Sequence, residues 1–255
     1  MQDSALDAIL ECGRRYRDEL LLPRYVPNEL VGDWRLAFDF FLDRACYQGR
    51  SDNVSEKVCV AAKAVLKSSL YAAPDWSDPG FADFRSLLEE RVGSGAGKPG
   101  KGRDVEMILS ALRFVREFDD HNLIVYSLAR IRTGELASHY DEIQAARSPH
   151  GITQVGPEIA AFYLRDLASL FELDDVVPAR ELALLQPVDV WVRRLASRLG
   201  LADEKASDEK IRNAIVDLCT KNSSSTLLFN QGLWYLGAHA FDLLLERMGV
   251  PGQPA

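Results

Sequence analysis

The sequence predicts an all-α fold, and three observations carry that expectation. Apolar residues recur at the three- and four-residue spacing of one helix face, as in Leu112, Val115 and Phe118, or Val58, Ala61, Ala62, Val65 and Leu66. No segment alternates apolar and polar residues convincingly enough to read as a half-buried strand. Pro, Gly and short polar residues punctuate the chain where the periodic segments stop.

Taken in order, the spacing predicts helices over 3–21, 28–47, 54–71 and 79–92. A second series follows over 104–118, 122–132, 134–146, 157–171, 179–185, 188–200, 207–221 and 226–247. Asp104 is placed to cap the first of these. No repeat of fixed period appears, which disfavours a solenoid. Between the two series, Gly93-Ser-Gly-Ala-Gly-Lys-Pro-Gly-Lys-Gly102 reads as a flexible basic linker. It is not a nucleotide-binding P-loop, because no strand precedes it and Pro99 stands where Ser or Thr should hold magnesium. Its lysines are candidates to brush a phosphate backbone. The linker sets the expected division: an N-terminal helical part over 1–103 and a second part over 104–255, in one compact unit overall.

Length and composition bound the function. The 255 residues, 47% of them hydrophobic, suit one large domain or two small ones with a real core. No apolar run reaches the roughly 20 residues of a membrane span, and the N-terminal residues lack the pattern of a signal peptide. A cytoplasmic, nucleoid-associated protein without a membrane partner is expected. The four cysteines, Cys12, Cys46, Cys59 and Cys219, are scattered without a Cys-x-x-Cys pair, and the histidines show no ligand spacing. Neither a metal nor a cofactor is expected. The net charge of −8 argues against a nucleic-acid partner on its face. Lys98, Lys101, Arg103, Arg193, Arg194 and Arg198 are candidates for a local basic face all the same.

The most informative stretch is Ser148 to Leu164, SPHGITQVGPEIAAFYL. Ser148-Pro149 stops one helix. Gly151 permits an unusual backbone angle, and Ile152 and Val155 can anchor a turn. Pro157 suits the first position of the next helix, whose buried side runs through Ile159, Ala160, Phe162, Tyr163 and Leu167. The N–H groups at that helix start form a natural anion site. Downstream, residues 187–200 read PVDVWVRRLASRLG, with Asp189 opening a helix. On its own, Asp189 reads as an N-cap.

The two stretches together resemble the helix–hairpin–helix DNA glycosylase superfamily. Its hairpin reads apolar-x-Gly-apolar-Gly with an Ala four residues on, matched here by Ile152, Val155, Gly156 and Ala160. Gln154 replaces the first Gly. The superfamily's catalytic aspartate lies in a Pro-Val-Asp segment opening a helix, matched by Asp189. The longer connection between Glu158 and Asp189, and the C-terminal LFNQGLWYLGAHAF, look most like the archaeal 8-oxoguanine glycosylase branch. The resemblance covers roughly 105–245 and is strongest over 150–200.

It implies two helical subdomains with a DNA-binding cleft, and a monomer acting on double-stranded DNA that contains a modified base. Thr153, Gln154, Val155 and Gly156 would grip a phosphate, with Arg193 as a further DNA contact. Asp189 would stabilise the charge that builds on the sugar as the base leaves. Bifunctional members carry a Schiff-base lysine at the position of Glu158. Glutamate cannot form one, which implies a monofunctional hydrolase without lyase activity. Glu158 itself is open between an auxiliary role at the water or base, a solvent-facing second-turn residue favoured by the helix dipole, and the mark of a silent relative. Trp191, Asn230, Gln231 and Trp234 are candidates for the base pocket; core or edge packing is the better reading of the two tryptophans, and helix-start roles explain the two amides equally well. The expected substrate is an oxidised purine or a non-host, phage-type modified pyrimidine. Two alternatives remain: a non-catalytic helix–hairpin–helix DNA-binding protein, or a helical interaction module.

Overall fold

A computed structural model of the chain describes residues 3–47, 51–72, 74–95 and 101–247. The central Gly/Lys linker residues 96–100 lie outside the described residues. All regular structure described is helical. In chain order the α-helices are α1 (Asp3–Arg15), α2 (Pro27–Gly32), α3 (Trp34–Ala45), α4 (Asp52–Ser68), α5 (Asp78–Gly95), α6 (Lys101–Arg116) and α7 (Leu123–Arg132). They continue as α8 (Leu136–Glu142), α9 (Pro157–Leu170), α10 (Val190–Arg198), α11 (Asp208–Lys221) and α12 (Thr226–Arg247). A π-helical turn, Tyr16–Leu21, extends α1, and a 3-10 helix, Ala179–Leu185, precedes α10. No described helix is long and apolar enough to cross a membrane.

The chain divides into two compact units. A terminal unit comprises Met1–Val26 and Leu164–Ala255, and a central unit comprises Pro27–Tyr163. The boundary falls within α9, and of the residues expected as a linker over 93–102, those at 93–95 close α5 and those at 101–102 open α6.

In the central unit, the helix expected over 28–47 is two helices. Asp33 is extended (φ −133°, ψ 109°) and its side chain accepts the Arg35 N–H at 2.8 Å, so it ends α2 and caps α3. The break lets Asn122 serve two helices at once. Its side-chain oxygen accepts from the Ile124 and Val125 N–H groups at 2.9 and 3.1 Å and caps α7. Its amide nitrogen donates to the carbonyls of Leu30 and Val31 at the end of α2, at 2.9 and 3.1 Å. Phe38, Phe40, Phe41 and Leu42 of α3 fill the core, and Tyr163 meets Phe41 edge-on at 5.5 Å.

In the terminal unit, α12 is the spine. Its Phe229 and Leu233 join Leu6, Ile9, Val188, Val192, Ala196, Ile211, Ile215 and Cys219 in one core cluster. The α1–α12 crossing is closed by two glycines. A side chain at Gly13 would strike the Leu228 carbonyl, and one at Gly232 the Ile9 carbonyl. A β-carbon at Gly237 would meet Trp191 in the same way, which seats α10 against α12.

Candidate functional site: a helix hairpin and a capping aspartate

The hairpin belongs to the central unit. After α8, the backbone of Ile152 returns to Gln144 in an isolated parallel bridge, and its N–H donates to the Ile143 carbonyl at 3.0 Å. Gly151 permits this approach, since a β-carbon there would collide with the Gln144 carbonyl. Ile152 and Val155 are buried beneath the turn, and the Val155 N–H donates to the Ile152 carbonyl at 3.0 Å. The Thr153 N–H donates to Ser110 Oγ at 2.9 Å, and the Tyr140 hydroxyl donates to the Pro157 carbonyl at 3.0 Å. Two of the proposed phosphate-gripping residues, Thr153 and Val155, therefore direct their own N–H groups into the fold.

Gln154, at the tip, is exposed and left-handed, with φ of +67°. That conformation costs an ordinary residue about 1 kcal/mol and glycine little. The position where the hairpin pattern calls for glycine is thus one where the backbone adopts a glycine-like angle despite the Gln. Gly156 precedes α9, whose first N–H groups have no partner within the helix. Glu158 is exposed in the first turn of α9, on the side of the dipole that favours an anion.

The aspartate belongs to the terminal unit. Asp189 is extended (φ −86°, ψ −173°) and is the N-cap of α10; its Oδ1 accepts the Val192 N–H at 2.8 Å. Burial pushes its carboxyl pKa up, opposed by the bond to Val192 and by the charge of Arg165. Next to it Val190 is 52% exposed, and Trp191 is half-buried with the Arg194 guanidinium 5.4 Å from its ring centroid.

Arg193 points back into its own unit. It donates to the carbonyls of Ala206 and Glu204 at 2.6 and 3.3 Å and pairs with Asp208. It closes the loop between α10 and α11. Asn230 and Gln231 are fully buried. Asn230 accepts from Arg165 at 2.8 Å and donates to the Pro187 carbonyl at 3.1 Å. Gln231 donates to Asp166 at 3.2 Å and accepts from Ser169 at 3.1 Å. Trp234 is half-buried and meets Tyr16 edge-on at 5.4 Å. The structure therefore gathers Asp189, Trp191 and Asn230 around the start of α10.

Two side-chain groups carry no signal in the sequence. One is the buried pair Arg165–Asp166, behind the Asp189 segment. The other is an array in the central unit. His139 Nε2 lies 2.9 Å from Ser127 Oγ, and its Nδ1 lies 3.3 Å from Glu142 Oε2. The order resembles a serine nucleophile, base and orienting acid. Ser127 and His139 are both 0% exposed, so the array packs the core rather than meeting a substrate.

The fold is that of an all-helical protein with a short hairpin between helices in one unit and a capped, half-buried aspartate in the other. No protein-family model, curated protein or solved structure matches the chain.

Proposed function

We propose that the protein is a monofunctional DNA glycosylase of the helix–hairpin–helix type, acting as a monomer on double-stranded DNA that carries a modified base. The observation that carries this reading is Asp189: a half-buried carboxylate, fixed at a helix start by the Val192 N–H. Breaking a base–sugar bond builds positive charge on the deoxyribose, and a carboxylate beneath it stabilises that charge or orients the attacking water. The base must first leave the stack. The left-handed Gln154 between buried anchors supports a hairpin that grips a phosphate around Gln154 and Gly156. The absence of a lysine at position 158 supports hydrolysis, with an abasic site as product. An oxidised purine or a phage-type modified pyrimidine is the proposed substrate class.

The substitution Asp189→Asn is the test, because Asn caps a helix about as well as Asp. The expected result is loss of base release with DNA binding within about twofold of wild type. The cap bond itself favours a second reading, in which Asp189 is structural and the chain is a non-catalytic DNA-binding protein. Failure of the wild type to release any base from oxidised, alkylated, deaminated or hypermodified DNA, with salt-sensitive binding intact, selects that reading. Absence of binding at low salt, where phosphate contacts are strongest, selects a helical interaction module.

A further inference from the structure

Arg165 and Asp166, side by side on α9, are each 0% exposed. A buried ion pair survives only where further hydrogen bonds satisfy both partners. Here Asp166 Oδ1 accepts from Arg165 Nε and Nη2 at 2.9 and 2.7 Å and from Gln231 at 3.2 Å. Its Oδ2 accepts the Tyr16 hydroxyl at 2.8 Å. The Tyr16 ring centroid lies 5.3 Å from the Arg165 guanidinium carbon. The guanidinium is thereby held from two sides, and its Nη1 donates to Asn230 Oδ1 at 2.8 Å. The same Asn230 donates to the Pro187 carbonyl at 3.1 Å.

That last bond matters because residues 186–189 form no helix. An extended segment leading into a helix has no ladder of its own bonds to fix it. Val188 is buried in the core, and Asn230 holds the carbonyl just before it.

We infer that Arg165 is a positioning residue for Asp189: locked by Asp166 and Tyr16, it orients Asn230, which holds the Pro187 carbonyl two residues before Asp189. The inference rests on the proposed role of Asp189 as the carboxylate beneath the sugar. It assigns Asn230 to the support of that carboxylate rather than to the base pocket. Arg165 also supplies the strongest charge effect on Asp189 and favours its ionised form against burial. Of the other charged groups on the surrounding elements, Asp166 of α9 pairs with Arg165, Arg193 of α10 turns to Asp208, and Arg194 lies over the Trp191 ring, while α12 presents the neutral Asn230.

The test uses the full chain with Asn230→Ser and Arg165→Lys. Serine is too short to bridge Arg165 and Pro187, and lysine keeps the charge but loses the two-pronged geometry. The Asp189 carboxyl is titrated by carbon-detected NMR, assigned through Asp189→Asn, alongside kcat and KM for base release. The expected result in either variant is an Asp189 titration displaced by about half a pH unit. With it comes a kcat roughly tenfold lower at unchanged KM, as for a misplaced reacting group. A general loss of stability alone does not displace that titration in the folded protein. If one variant does not fold, the other carries the measurement. An Asp189 titration identical to wild type overturns the inference. A displaced titration in a protein whose wild type releases no base upholds the positioning and removes the glycosylase reading instead.

Discussion

Ser127 Oγ lies 2.9 Å from His139 Nε2 in the core of the central unit, with both residues shut off from solvent. Burial lowers the His139 pKa and outweighs the favourable pull of Glu142. The folded protein therefore keeps this imidazole neutral, while the unfolded chain takes up a proton near the ordinary value of 6.5. The unfolded state binds more protons below that point, so the stability contributed by neutral His139 is full above about pH 6.5 and is lost as pH falls. Urea midpoints measured from pH 7.5 to 5.5 are expected to decline. In His139→Gln the decline over the same range is expected to flatten, from a lower starting stability.

Asp189 has the opposite sign. Its folded pKa is raised, so the folded state holds a proton longer than the unfolded chain does. The stability it contributes is present below the ordinary value of 3.8 and is lost as pH rises through the raised value. Above that value the ionised carboxylate costs stability. Asp189→Asn keeps the cap without the charge, and is expected to melt no lower than wild type at neutral pH. That advantage is expected to shrink in acid. A variant inactive in base release yet at least as stable is the signature of a charge kept for chemistry. Thermal scans across pH, beside the activity assay, check both halves.

The helices were legible in the sequence because burial on one face leaves a periodic trace. Val58, Val65 and Leu66 of α4 announce themselves this way, as do Leu112 and Val115 of α6. The break at Asp33 was not legible, because Leu30, Val31, Leu36 and Ala37 continue an apolar pattern across it, and the extended backbone of Asp33 with its cap bond to Arg35 separates the two helices. The hairpin was legible from Pro149, Gly151 and Pro157, whose backbone constraints are local. The surroundings of Asp189 were not. Arg165 and Asp166 sit in an amphipathic stretch where charged residues usually face water, and their burial depends on Tyr16 and Asn230, far away along the chain. Asn230 was legible as a polar amide near the start of α12, but its partners are set by tertiary packing.

The α1–α12 crossing supplies a test of packing alone. Gly232 lets the Ile9 carbonyl approach the α12 backbone, and an added methyl group would meet backbone rather than a yielding side chain. Relief requires α1 to shift as a body. Gly232→Ala is expected to cost about 2 kcal/mol, within the range for overpacking a core, although Ala is the better helix former. Gly32→Ala, at a position with open space around the new atom, is the matched control and is expected to change stability little. Equilibrium denaturation of the two variants measures the difference.

The hairpin tip yields the remaining prediction. Gln154 holds φ at +67°, a conformation that costs most L-residues about 1 kcal/mol and glycine almost nothing. Against that gain, glycine adds freedom to the unfolded chain, which returns part of it. Gln154→Gly is therefore expected to raise stability by a few tenths of a kcal/mol at most, without moving the turn. At Gly151 the reverse holds: a β-carbon would strike the Gln144 carbonyl, and Gly151→Ala is expected to cost about 2 kcal/mol and to loosen the return of Ile152 to Ile143. The pair separates the hairpin's two roles. If the turn grips a phosphate, Gly151→Ala weakens DNA binding and flattens its salt dependence, whereas Gln154→Gly preserves both. Binding measured at several salt concentrations decides the matter, because a hairpin that serves only to join two helices leaves the salt slope unchanged in both variants.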